Sequence, residues 1–125
     1  MDKLRTAAAW LLALPLIAFG ANSWFDFMPA APPDATGAGI DLLAAMREGG
    51  LMMPIAASHV LVGFMLLVPA WRFLAALVQL SLTIGIVAFH LTMMPEGLVP
   101  AAVMLVLNLV VVADGERLGR LVRTE

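Results

Sequence analysis

FLAALVQLSLTIGIVAFHLTM, residues 73–93, contains no Asp, Glu, Lys or Arg, and its few polar side chains leave no continuous polar face. A helix rising ~1.5 Å per residue needs roughly 20 apolar residues to cross ~30 Å of hydrocarbon, so this stretch reads as a membrane span. A core helix of a water-soluble protein would carry a polar face at 3.6-residue spacing. Working outward, three further stretches of the same kind, residues 7–25, 51–69 and 97–113, take up most of the remaining chain. Only 13% of residues are charged and 62% are hydrophobic, so too little polar surface exists to cover the apolar surface in water. The expectation is an all-α integral membrane four-helix bundle, one domain over residues 1–125, with a longer outer loop between the first two spans.

Composition excludes several classes. The chain has no cysteine, so it forms no disulfide and cannot act as a dithiol–disulfide oxidoreductase. A net charge of −2 without a basic cluster on a soluble face argues against a nucleic-acid partner. Lys3 and Arg5 ahead of an apolar run, with Ala18-Phe19-Gly20-Ala21 following, also fit a secretory signal. The run is long for a signal core, and an uncleaved span is expected.

Threading follows from charge. Lys3, Arg5, Arg72, Arg117, Arg120 and Arg123 fall on one side if the spans alternate, and Arg47 alone on the other. The positive-inside rule then puts both termini in the cytoplasm and the 26–50 loop outside. Trp10 and Trp71 mark the inner interface; Trp24, Phe25 and Phe27 mark the outer one. Pro29, Pro32, Pro33 and Gly37 predict an irregular loop over residues 29–37. Residues 39–48 predict a short helix with Ile40, Leu43 and Met46 on one side, ended by Gly49-Gly50 and placed to lid the outer mouth or lie in the interface. Gly20, Gly63 and Gly85 are expected to seat helices closely, and Pro15 to kink the first span.

Polar residues inside hydrocarbon are costly and face the bundle interior. Asn22 and Asp26 lie at i and i+4 on the first span. With His59 and His90 they reach similar depth in the outer half, which predicts one polar pocket formed by Asn22, Asp26, His59 and His90. Imidazoles there carry protons or bind a ligand. Ser58, Gln79, Thr83 and Asn108 are read as interhelical hydrogen-bonding residues, worth about 0.6 kcal/mol each. Met28, Met46, Met52, Met53, Met93 and Met94 gather at the outer end near His90, a soft donor set for cuprous copper. Methionine is also an apolar filler, and no metal site is assigned. No phosphate loop, Ser/His/Asp arrangement or other self-contained catalytic motif is present, so enzyme activity stays open.

FGANSWFDFMPAAPP (19–33), SHVLVGFMLLVP (58–69) and IVAFHLTMMPEGLVPAA (86–102) together resemble the DoxX-like family of small four-span membrane proteins, in order and spacing over nearly the whole chain. The elements that carry the likeness are Gly20 with Asn22, the Phe27–Pro33 stretch, Gly63, and Phe89-His90 followed by Pro95 and Gly97. Two positions depart from the family pattern. His59 stands where an acidic residue is common, and no proline occurs around Leu82–Ile84. The resemblance implies a multi-pass protein of the bacterial inner (plasma) membrane. It also implies association with redox chemistry, since some members are linked to quinone-coupled sulfur oxidation and others to membrane oxidoreductase complexes. Three functions are therefore expected in competition. The first is a redox-associated accessory subunit whose outer pocket takes a quinone. The second is a non-catalytic assembly module, with a membrane protein partner or a second copy of itself in the lipid bilayer. The third is a small-molecule or copper carrier.

Overall fold

A computed structural model of the chain describes residues 1–29, 31 and 34–123, so the expected loop prolines Pro32 and Pro33 lie outside the described residues. Among those residues every regular element is helical. α1 is Asp2–Phe25, α2 Ala38–Glu48, α3 Met52–Leu67, α4 Arg72–Thr92, α5 Leu98–Val112 and α6 Gly115–Val122, with one 3-10 turn at Pro95–Gly97. α1 runs unbroken through Pro15.

Helix ends follow local chemistry. α1 stops at Asp26, which takes the left-handed conformation (φ 48, ψ 43) and donates its amide to Asn22 O. Asp is one of the few non-glycine residues that adopt this cap readily. α3 stops at Val68, held extended (φ −92, ψ 115) ahead of Pro69. Between α2 and α3 the chain turns by 91° at Gly49-Gly50, where Gly50 takes φ 77. The short helix expected at 39–48 thus exists as α2. α6 corresponds to nothing expected from the sequence.

Three helices are long and apolar enough to cross a membrane: Asp2–Phe25, Arg72–Thr92 and the Pro95–Val112 run that contains α5. The expected second span, 51–69, is shorter than that. α3 has 16 residues, ~24 Å at ~1.5 Å per residue, and meets the length requirement only when α2 is joined to it across the bend. The spans therefore number three, or four with the bent pair counted as one.

α1, α3, α4 and α5 pack in a ring, each against the next, with α5 closing on α1. Short connections after α3 and α4 enforce antiparallel neighbours. The α1–α3 seam is the tightest. A methyl group on Gly20 would stand 2.8 Å from Ala56 O, and one on Gly63 would stand 2.6 Å from Ile17 Cγ1. Gly85 differs from its expected role: nothing lies within 4 Å of where its side chain would be, so it faces outward and seats no helix of this bundle.

Large apolar side chains cover the outside of all four helices, among them Leu11, Phe19, Leu61, Leu74, Ile84, Val103 and Leu109. Inside, alongside Leu12, Leu16 and Leu66, sit Gln79, Thr83 and Asn108, each 0% exposed. This inverts the soluble pattern of apolar interior and polar exterior. It points to a membrane protein, because lipid solvates such a perimeter and drives polar groups inward.

Candidate functional site

Where α1, α3, α4 and α5 leave space in the half of the bundle away from the arginine-rich end, a cleft of about 420 Å³ forms. Its walls are apolar, from Leu16, Ile86, Ala101 and Met104, with the exposed Phe19 and Pro100 on its edge. Two imidazoles enter this apolar lining: His59 from α3 and His90 from α4.

Each histidine is set differently. His90 Nδ1 lies 2.8 Å from Met94 O. A carbonyl only accepts, so Nδ1 donates, and in the Nδ1–H tautomer Nε2 is an acceptor. The ring is further fixed by Phe89, edge-on at 5.2 Å, and by the backbone of Gly97. Any Cβ at Gly97 would run into the His90 imidazole, so the glycine of the 3-10 turn is what leaves room for the ring. His59 is half-buried, and its Nε2 is enclosed without a hydrogen-bond partner among the described residues. An enclosed polar nitrogen left unpaired costs ~1–3 kcal/mol.

The other two residues expected in this pocket go elsewhere. Asn22 is buried, but both ends of its amide are spent on one backbone residue. Nδ2 donates to Met28 O at 2.8 Å, and Oδ1 accepts from Met28 N–H at 2.7 Å. It fastens the chain leaving α1. Asp26 is exposed and acts as the backbone cap of α1, so it lines no part of the cleft. Depth along the helices placed all four together, but depth does not say which way a residue faces around the helix axis.

The interhelical polar residues divide similarly. Gln79 Nε2 donates to Thr83 Oγ1 (3.2 Å), Thr83 Oγ1 to Asn108 Oδ1 (3.1 Å), and Asn108 Nδ2 to Ala76 O (2.8 Å). This ladder joins α4 to α5 in the bundle centre. Gln79 Oε1 is buried there without a partner among the described residues. Ser58 does not join helices: its hydroxyl donates to Ile55 O within α3, as hydroxyls often do toward the preceding turn.

α2 does not line the cleft. Its first turn sits on the end of α4, where a methyl group on Gly39 would come 2.7 Å from Met93 O. Glu96, in the turn between α4 and α5, lies on the cleft's boundary and was not among the residues expected there. It is the only carboxylate between the third and fourth stretches, which is the signal that could have found it. Of the methionines expected to gather near His90, Met94 reaches the cleft, joined by Met104 from α5. Among the described residues no group of three His, Cys, Asp or Glu side chains is placed to hold a metal ion. No family model, curated protein or solved structure matches this chain.

Proposed function

We propose that the chain is a membrane-embedded four-helix module that holds a quinone headgroup in the His59/His90 cleft, as an accessory component of redox chemistry in the bacterial inner membrane. The observation that carries this reading is the enclosed, unpaired His59 Nε2 beside the same apolar cleft as the oriented His90 ring. A quinone is a flat apolar ring with two carbonyl oxygens. The cleft matches it in kind: apolar walls, two imidazoles as the polar contacts within, Glu96 at the boundary, and a volume of about 420 Å³, inside the ~300–1,000 Å³ of ordinary small-molecule sites. His59, as the Nε2–H tautomer, donates to a carbonyl oxygen and recovers the cost of its unpaired nitrogen. His90, with Nδ1–H tied to Met94 O, offers Nε2 as the acceptor for a hydroxyl proton.

When bound, the quinone supplies the two-electron chemistry. With no cysteine, the chain has no thiol couple of its own, so a partner delivers or removes electrons. The likeness to DoxX-like proteins, and an orientation with both termini cytoplasmic, belong to this same proposal. The test is titration of the purified full chain, in lipid nanodiscs, with a short-chain benzoquinone. Loss of one hydrogen bond predicts an affinity drop of about tenfold in His90→Ala and in His59→Ala. Equal affinity in wild type and both variants would remove the quinone reading.

A second reading, a non-catalytic assembly module, draws support from Gly85. With exposed Ser81 and Ala88 it leaves a shallow strip on the outward face of α4, of the kind that lets another membrane helix approach closely. Under that reading Gly85→Leu lowers the mass of the detergent-solubilised assembly, while His59→Ala and His90→Ala leave function intact.

A further inference from the structure

The opposite end of the bundle carries a second, unrelated cleft. It measures about 250 Å³ and lies where the start of α1, the α3–α4 turn and the α5–α6 junction meet. Arg5, Arg72 and Arg117 line it together with Asp2 and Asp114, so three guanidinium groups face two carboxylates.

The two carboxylates do not serve the three cations equally. Asp114 is shared, with Arg5 Nη1 and Arg117 Nε each 3.5 Å from Oδ2. Asp2 contacts Arg5 at 3.7 Å, but its side chain is 99% exposed and therefore weakly coupled. Arg72 has no carboxylate within 4 Å among the described residues. Its Nε and Nη1 donate to neutral acceptors, Leu66 O and Thr6 Oγ1, both at 3.0 Å. Those bonds hold the guanidinium rigidly while leaving its charge uncompensated and Nη2 without a partner among the described residues. An oriented cation beside a cleft with surplus positive charge is built to receive an anion, and a planar guanidinium matches phosphate oxygens.

The surroundings identify the source of that phosphate. Trp10 and Trp71, both about half exposed, flank this end as interfacial anchors do. α6 is amphipathic: Leu118, Leu121 and Val122 share one exposed face, and Arg117 and Arg120 point elsewhere around the helix. Such a helix lies in the interface with its apolar side in the acyl region. Pro69, Phe73 and Val111 give the cleft apolar walls at the same depth, and Arg117 stacks over Phe73 at 5.8 Å from the ring centroid.

We propose that this cleft binds the phosphate of an anionic phospholipid, with Arg72 as the principal contact and Arg5 and Arg117 beside it. Asp114 acts as an internal stand-in, holding Arg5 and Arg117 in place while partly neutralising them. This site is independent of the histidine cleft.

The experiment uses the delipidated full chain in mild detergent, offered phosphatidylglycerol or phosphatidylcholine, with bound lipid counted by native mass spectrometry. Wild type should retain phosphatidylglycerol in preference to phosphatidylcholine, with the preference weakening as salt is raised. Arg72→Gln should cut phosphatidylglycerol retention about fivefold, the equivalent of ~1 kcal/mol for one basic contact at the surface. Asp114→Asn, which keeps the side-chain oxygen that accepts from Arg117 N–H at the start of α6 but removes the negative charge, should raise it; a purely structural arginine cluster predicts no gain. If Arg72→Gln fails to fold, Arg117→Gln serves, since among the described residues its guanidinium pairs with Asp114 and stacks on Phe73. Equal retention of the two lipids by wild type, or unchanged retention in the arginine variants, would overturn the site. Full displacement of the lipid by equimolar inorganic phosphate would overturn the lipid assignment.

Discussion

Replacing Gly20 with alanine places a methyl carbon 2.7 Å from Val60 Cγ2, 2.8 Å from Ala56 O and 3.2 Å from Val60 N. Two of those atoms are backbone, and the third belongs to a β-branched side chain that cannot rotate freely in a helix. The only relief is for α1 and α3 to part along their seam. Two terms oppose each other. Alanine in a helix gains about 1 kcal/mol over glycine. Overpacking a close contact costs ~1–3 kcal/mol, and a gap of a few tenths of an ångström forfeits dispersion along the whole seam. Because the obstruction is backbone, the larger end of that cost applies, and Gly20→Ala should destabilise by roughly 1–2 kcal/mol net. Gly63→Ala meets Ile17 Cγ1 at 2.6 Å and Ala13 O at 3.2 Å, and Ile17 is β-branched like Val60, so this clash is no more easily relieved by side-chain rotation. Its net cost should likewise be roughly 1–2 kcal/mol. Gly85→Ala meets nothing within 4 Å and should be neutral or stabilising by up to about 1 kcal/mol. Unfolding of the three variants in mixed micelles, followed by far-ultraviolet circular dichroism, gives the order directly. A Gly20→Ala protein as stable as wild type, or a Gly85→Ala protein as damaged as Gly20→Ala, would refute the tight α1–α3 seam.

Gly97→Ala should leave the helical content unchanged but displace the His90 ring from Met94 O. The benzoquinone titration should then show the same loss of about tenfold as His90→Ala, one hydrogen bond's worth. A Thr83→Val/Asn108→Leu double-mutant cycle in the same unfolding assay should give a coupling of about 0.6 kcal/mol, with a ceiling near ~1.7 kcal/mol. Zero coupling would contradict the 3.1 Å contact between them. Asn22→Leu removes both bonds to Met28 and should cost roughly 1–2 kcal/mol, read as a lower thermal midpoint. Ser58→Ala, which gives up only a bond within its own helix, should stay within about 0.5 kcal/mol of wild type.

The all-helical, membrane-type character of this protein was legible from residues 73–93 and their three counterparts, because hydrocarbon admits little but apolar helices and so writes its demand into composition. The same holds for the stop at Gly49-Gly50, which is a property of the local chain. Gln79, Thr83 and His90 lie at i, i+4 and i+11 on one stripe of a helix, and of these Gln79 and Thr83 bond each other while His90 lines the cleft. What one helix cannot reveal is the direction in which a face points once its neighbours are in place. Asn22 and Asp26 share depth with the histidines, but the chain leaving α1 folds Met28 back onto the Asn22 amide, and Asp26, the left-handed cap, stays exposed. Gly85 has the composition of a seam and faces outward; Gly20 and Gly63 have the same composition and make one. His59 and His90, already matched in depth by the sequence, meet at one cleft because the ring of α1, α3, α4 and α5 turns both toward it. The same ring drew Arg5, Arg72 and Arg117, more than a hundred residues apart at the extremes, around another. Sequence fixes which groups are costly to leave in lipid; the azimuth that packing imposes on each helix decides which of them meet.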